Sequence, residues 1–473
     1  MDLTTFMQDS EHKQKVERIF SKGVRMIYQD ALKSLVSDIE LIDLLATMET
    51  VPEEITTEFL QCLKKQPEII EAAPKLPGGM SPLKEYNEWE PVTPKSFLSF
   101  FLSRYKTVSQ ILWRRPQLKN AVSIAQTSRI RGREELAIIG MVRDIHDTHN
   151  NKRILTVEDL SGSTRVIVPS TLVEKGEIVT DEVIGIRGQA GRDIFFANSV
   201  IFPEIPQVQW PSAERPRALF VSDLHVGSKK FIEPVWDNVV SWLKEHKDVK
   251  YLFVAGDLVD GVGVYQNQNK SLEIETIEGQ MESLAKYLKQ LRSGLKIFVI
   301  SGNHDPNRDS EPQPALPAEI AKPLKNICDL EIHSNPSWID VEGITVLMYH
   351  GTSLDSIIDA IEPIRNKAYH DPCLGQMHLL KKRHLSPIFG RNKVFPDKED
   401  FMVINKVPHV LHTGHVHKIG IGKYRGVRLL SSGTFQDTTD FQEKLGHEPS
   451  PGHFIVMELS NGVAKPIDFS RLQ

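Results

Sequence analysis

The sequence predicts a multidomain chain: a layered α/β domain that carries the chemistry, a small β-barrel ahead of it, and a helical module near the N-terminus. Three observations lead there. From Arg217 onward, apolar strands such as 218–221, 251–254 and 297–300 alternate with helical patterns, as layered α/β architectures require. Residues 133–203 are instead short β-branched runs broken by Asn150-Asn151, Ser161-Gly162 and Gly191, the signature of a sandwich or small barrel. A length of 473 residues also exceeds what one ordinary core organises.

Taken in order, residues 1–73 place Val16, Ile19, Phe20, Met26, Ile27, Leu32, Leu35 and Val36 at roughly helical intervals, which predicts a helical module. Residues 74–96 carry Pro74, Pro77, Gly78, Gly79, Pro82, Pro91 and Pro94, a density that predicts an extended linker. A helical connector is expected over 97–132. Within 133–205, the runs 136–142, 154–159, 164–168 and 183–188 predict a five-stranded barrel whose strand order resembles an OB-fold. Over 215–473 the α/β pattern holds, and Ile277, Met281, Leu284, Leu288 and Leu291 keep the 3.6-residue period of a helix packed on one side. No internal repeat or low-complexity tract interrupts the chain.

Composition narrows the setting. Hydrophobic residues at 40% and charged residues at 25% are ordinary for soluble globular proteins. The first twenty residues are polar where a secretory signal would be apolar, and no apolar run reaches membrane-spanning length. A cytoplasmic protein with no membrane partner is expected. Cys62, Cys328 and Cys373 are odd in number and lack paired spacing, which argues against a disulfide framework or zinc ribbon. A net charge of -5 denies the chain a global basic field, so contact with DNA must come from local patches or a partner.

The chemistry lies where strands end. Asp223 and His225 close the first apolar run, Gly256-Asp257 with Asp260 the second, and Gly302-Asn303-His304-Asp305 the third. Further on, 346–349 runs into His350-Gly351, and Val410-Leu411 leads to Gly414-His415-Val416-His417. In open α/β sheets, sites assemble at the carboxyl ends of strands. Residues two apart in an extended segment point the same way, so Asp223 with His225, and His415 with His417, are each expected to present two side chains to a common centre and to act as metal ligands.

Carboxylate, imidazole and amide donors together suit two divalent ions of the manganese, iron or zinc type better than calcium. Manganese is the first candidate, with iron, zinc and magnesium as alternatives. A binuclear centre needs a bridging carboxylate, and Asp257 is expected to supply it. His304 is then available as general acid or to stabilise the charged phosphorane, held by Asp305. Asp260 is either a ligand or a support behind one, and His412 is expected in the core. His333, His370, His378, His384, His409 and His453 are expected to be surface groups or satisfied polar contacts.

These five motifs resemble those of calcineurin-like metallophosphoesterases, including the Mre-type break-repair nuclease. Their surroundings, at 260–265, 349–355 and 382–387, resemble the small subunit of archaeal family D DNA polymerase, over roughly residues 97–473. That resemblance implies one metal on Asp223, His225, Asp257 and His417, and another on Asp257, Asn303, His350 and His415. It also implies a 3'-to-5' proofreading exonuclease beside a separate large polymerising subunit. The expected partners are therefore that subunit, DNA 3' ends and, through the complex, a sliding clamp, in an archaeal, nucleoid-associated setting.

OB-like barrels often bind single strands on aromatic platforms. Here Phe195-Phe196 is the one adjacent aromatic pair in the barrel segment, and docking is as good an expectation as DNA contact. The basic run Lys381, Lys382 and Arg383, with Arg391 and Lys393, is either a solvated face or a grip on DNA phosphates or on the large subunit. Two rival functions use the same architecture: a phosphomonoesterase or cyclic-nucleotide phosphodiesterase, and a non-catalytic polymerase scaffold. The attached barrel weighs against the first, and the full set of ligands against the second.

Overall fold

The computed structural model describes residues 26–27, 54–55, 92–127, 135–148, 152–191, 194–439, 442–443 and 446–472. The chain divides into two units, 1–77 and 78–473, with the boundary inside the Pro-rich stretch. Within the first unit, β1 (Met26–Ile27) and β2 (Glu54–Ile55) pair in parallel. Met26 and Ile27 are thus extended where the periodicity places them on a helix. The remainder of the predicted helical module lies outside the described residues.

The first helix among the described residues of the second unit is Pro94–Trp113, whose start is set by a reciprocal cap between Thr93 and Ser96. The predicted linker runs on to residue 96 because Pro94 reads as a breaker. Proline at the first helical position costs no hydrogen bond and fits the helical φ, so the helix starts three residues sooner. Strands β3 (Leu136–Asp147), β4 (Lys152–Asp159), β5 (Gly162–Pro169), β6 (Val183–Ala190) and β7 (Ile194–Ile201) close a barrel in the order β3-β4-β5-β7-β6. Every pairing is antiparallel except β5 with β7. This is the five-stranded OB-like arrangement that the sequence predicts. Phe195 fills the barrel interior and Phe196 faces solvent, as alternation along one strand dictates.

The α/β domain is a sandwich of two sheets. One contains β8 (Arg217–Val221), β9 (Val249–Ala255), β10 (Lys296–Ile300) and β11 (Leu330–His333), which run parallel. The other is built on β12 (Ser337–Val341), β13 (Ile344–Met348), β14 (Val410–Thr413), β15 (Gly420–Tyr424) and β16 (Val427–Ser431), in the order β12-β13-β14-β16-β15. The antiparallel hairpin β17 (His453–Glu458) and β18 (Val463–Asp468) completes the first sheet next to β8.

Between the sheets, Phe220, Phe253 and Phe298 stack across three strands with ring centroids 4.8 and 5.1 Å apart, packed with Ile339, Val346, Met348 and Leu430. Helices Glu233–Glu245 and Ile277–Leu288 cover the outer face of the first sheet, and Leu354–Ala360 with Cys373–Lys382 that of the second. Met281, Leu284 and Leu288 are buried on the predicted helix face. Strands β8, β9 and β10 run parallel in one sheet and β13 and β14 in the other, and their carboxyl ends meet at one rim, where His350 Nδ1 lies 2.8 Å from Ala255 O.

Candidate metal centre and catalytic site

Each ligand candidate sits just past a strand end, and five of the seven adopt an uncommon backbone shape. Asp223, His225, Asp257, His415 and His417 all have positive φ, between 50° and 70°. Asp223 and His225 do come to one centre, through left-handed turns beyond β8 and not through strand alternation, whereas the turns beyond β14 send His417 to that centre and His415 to the neighbouring donor set on Asn303. Left-handed non-glycine residues are strained and persist where the surroundings over-determine them. Here the surroundings are backbone bonds: Asp223 N donates to Gly256 O and His225 N to Asp257 O, each at 3.0 Å. Glycine at 302 is required by the same crowding, since a Cβ there would lie 2.2 Å from Asp257 Oδ1.

Two donor sets result. One donor atom from each of Asp223, His225, Asp257 and His417 lies within 4.8 Å of the others, and all four residues are buried. His225 Nε2 and His417 Nε2 are 3.1 Å apart, and His417 Nε2 is 3.4 Å from Asp223 Oδ1. Two imidazole nitrogens aimed at each other beside a carboxylate need a cation or a proton between them, so this donor chemistry fits a divalent metal. In the second set, Asn303 Oδ1 lies 2.9 Å from both His350 Nε2 and His415 Nδ1. Asp257 Oδ2 adjoins both sets, 3.6 Å from His225 Nε2 and 3.4 Å from His350 Nε2.

Burial works to lower the pKa of His225 and His350. Asp260 and Asp257 outweigh it at His225, and Asp257 at His350, holding them up at about 9 and about 10. Burial acts to raise Asp257, but His350, His304 and His225 hold it well below the usual carboxylate range. The site thus draws in positive charge, which couples metal binding to proton release.

Each imidazole is oriented from behind, as metal-ligating histidines require. Asp260 Oδ1 lies 3.1 Å from His225 Nδ1, the side opposite the donor nitrogen, and its carboxylate also accepts from Gln268 and Gln436. Ala255 O holds His350 Nδ1 at 2.8 Å, Asp355 Oδ2 holds His415 Nε2 at 3.1 Å, and Gln442 lies 2.9 Å from His417 Nδ1. Sequence reasoning missed Asp355 and Gln442 as partners. Asp355 closes the motif at 349–355, whereas Gln442 has no local signal. We expect Asp260→Asn to weaken metal binding by about 10- to 100-fold, and Asp257→Asn to weaken it more, since Asp257 touches both donor sets. Metal titration of the two purified variants checks the order.

His304 and Asp305 require a correction. Asp305 does not hold His304. Its carboxylate accepts the backbone N–H groups of Leu258 (2.9 Å), Val259 (3.1 Å) and Gly302 (2.7 Å), tying two ligand loops together. The His304 ring is fixed instead by its Nδ1 on Asp260 O at 2.8 Å, edge-on to His225 with centroids 4.7 Å apart. His412 is a core residue as expected, buried against Phe220, with Nε2 2.8 Å from Ser432 Oγ. His384 is satisfied by Asp400 at 2.9 Å. His378 departs from expectation: it is buried, its Nδ1 lacks a partner, and burial pushes its pKa down to about 4.

The basic run is corrected as well. Lys382, 2% exposed, reaches into the barrel loop between β5 and β6, where Nζ donates to Glu182 Oε2 at 2.9 Å and to Glu177 O. Lys381 pairs with Glu177, and buried Arg383 donates to Asn405 O at 2.9 Å. Lys382 and Arg383 are therefore interior struts, Lys382 between the barrel and the sandwich, and neither can meet DNA. Arg391 and Lys393 stay on the surface, paired with Asp359 and Asp309. Lys382→Met should cost about 3–5 kcal/mol, because Glu182 is left buried without its counter-charge. Urea denaturation measures it.

Among the described residues, no helix is long and apolar enough to cross a membrane. Residues 218–419 match the family of DNA polymerase alpha/epsilon B subunits. Along the chain, the DNA polymerase II small subunit of Methanothermobacter thermautotrophicus is 41% identical over 389 residues, covering 79% of this chain and 79% of that protein. The small subunit from Archaeoglobus fulgidus is 38% identical over 378 residues, 76% of this chain and 75% of that protein. That from Halobacterium salinarum is 39% identical over 380 residues, 77% and 73%. With identities of this order over three quarters of both chains, and with an OB-like barrel joined to a phosphoesterase domain that gathers a buried Asp/His metal-ligand group, the chain belongs to the small subunits of archaeal family D DNA polymerase, DNA polymerase II.

Proposed function

We propose that the chain is the 3'-to-5' exonuclease of a two-subunit DNA polymerase, removing mismatched 3' ends while a large subunit synthesises. The relatives' name, small subunit, supports the partnership. The observation that carries the nuclease reading is the position of Asp257 Oδ2, one carboxylate oxygen facing both donor sets. Asp223, His225, Asp257 and His417 would hold one divalent ion, and Asp257, Asn303, His350 and His415 the other. Manganese suits this mixture of oxygen and imidazole donors. When bound, such ions polarise a phosphoryl group and lower the pKa of water.

The chain's own residues do the rest. With Nδ1 tied to Asp260 O, His304 keeps Nε2 as the atom for substrate. There it gives a proton to the leaving oxygen or faces the charge that develops on phosphorus. Asp305 keeps the Asp257 and Asn303 loops in register through three backbone bonds. Arg391 and Lys393, exposed, and the part-exposed Lys381 are the residues of the basic run left to meet DNA phosphates or the large subunit.

The test is one assay of the purified chain, alone and with the large subunit, on 5'-labelled primers ending in a 3' mismatch. Shortening from the 3' end with manganese or magnesium, abolished by chelator, is expected. Release of phosphate from monoesters without primer shortening would replace this function with that of a phosphomonoesterase.

A further inference from the structure

The loop that leaves Asp260 carries an unusual surface. Val262, Val264 and Tyr265 are 45%, 39% and 46% exposed, three large apolar side chains within four residues at the edge of a charged centre. The Tyr265 ring centroid lies 6.2 Å from that of His304. Apolar groups gathered on a surface mark a contact to be made, and this one borders the atom proposed to meet the leaving oxygen.

The loop is held firmly from beneath. Val264 N donates to Gln268 Oε1 at 2.9 Å, and Gln268 Nε2 donates to Asp260 O at 2.8 Å and Asp260 Oδ2 at 3.1 Å. Gly261 N donates to Gln280 Oε1 at 2.8 Å. Gln268 and Gln280 are both buried. A loop braced this way keeps its apolar residues outward because these polar groups are engaged inward, next to the carbonyl that orients His304.

We infer that Tyr265, flanked by Val262 and Val264, is the stacking platform for the base of the terminal nucleotide at a single-stranded DNA 3' end. The inference rests on the exonuclease reading. One sugar separates a nucleotide's phosphate from its base, so a phosphate at His304 places a base over the neighbouring ring. Stacking on an aromatic ring tolerates every base, since each has a π-face, as an activity that removes any misplaced nucleotide requires. It also selects unpaired ends, because a paired terminal base is already stacked within the duplex. Mismatch preference would then arise from the substrate's freedom to leave the duplex, with no hydrogen-bond readout of the base.

The test uses the full chain, as wild type, Tyr265→Phe and Tyr265→Ala, with a single-stranded oligonucleotide carrying 2-aminopurine at its 3' terminus. Stacking quenches this base. Titrations in chelator report it without turnover, and an otherwise identical oligonucleotide with internal 2-aminopurine serves as reference. Wild type and Tyr265→Phe should quench the terminal probe, and Tyr265→Ala should need about 5 to 150 times more protein. Equal quenching by Tyr265→Ala, or none by any of the three, overturns the inference. Adding manganese to the same samples scores excision separately. Quenching without excision would sink the exonuclease reading and leave the platform standing, whereas excision without quenching would do the reverse.

Discussion

In the complex with the large subunit, Asp257→Asn is expected to abolish mismatch excision while primer extension continues at the wild-type rate. Asp257 Oδ2 adjoins both donor sets, so the substitution removes a charged oxygen from each at once. The loss should exceed the roughly 10- to 100-fold that follows when only a residue behind a ligand is changed. Extension should survive because no Walker-type phosphate loop is present in the sequence, and the carboxylates assigned to metals all serve the hydrolytic centre. Both activities are read on one mismatched primer. Equal collapse of excision and synthesis in a folded, assembled variant would refute a two-site division of labour, as would primer extension by the isolated chain.

His304→Ala is expected to cut excision by about 10²- to 10⁴-fold, the usual span for loss of a general acid, with metal content unchanged. His304 has a ring nitrogen within 4.8 Å of donor atoms of His225 and Asp260, but its Nδ1 is held by Asp260 O at 2.8 Å and its backbone N donates to Asp257 Oδ1 at 2.8 Å. That backbone bond survives in alanine, so Asp257 keeps its orientation. Burial lowers the pKa of His304 against the pull of Asp257, so its imidazolium is a stronger acid than a free one but is populated less, and the neutral ring keeps its proton on Nδ1 against Asp260 O. Metal analysis beside the rate decides the role, and loss of metal in this variant would make His304 a ligand.

The candidate ligands stand out in the sequence because each is local to a strand end: apolar runs stopping at Asp223, Asp257, Asn303, His350 and His415 mark five edges of one rim. The barrel was legible for a similar reason, since period-2 runs and turn residues are short-range signals. The supporting residues were not. Gln442 reaches His417, and Lys382 reaches Glu182 some 200 positions away. Nothing in the immediate neighbourhood of either residue encodes such a contact. The expectation for Asp305 failed because adjacency in sequence was taken for adjacency in space, when three backbone amides were the nearer partners.

What the sequence by itself determined is the order of the folded parts, the layered α/β class and the set of candidate donor residues, because periodicity and residue chemistry act over a few positions. Only the tertiary structure decided which atoms of those donors meet, which cations of the basic run are buried, and which histidine nitrogen faces the site. Those outcomes depend on the desolvation of groups brought together from distant parts of the chain. Left-handed backbone at five candidate ligands is the clearest case: Asp and His tolerate it better than most residues, yet it stays uncommon for them, and here backbone bonds from neighbouring segments hold it.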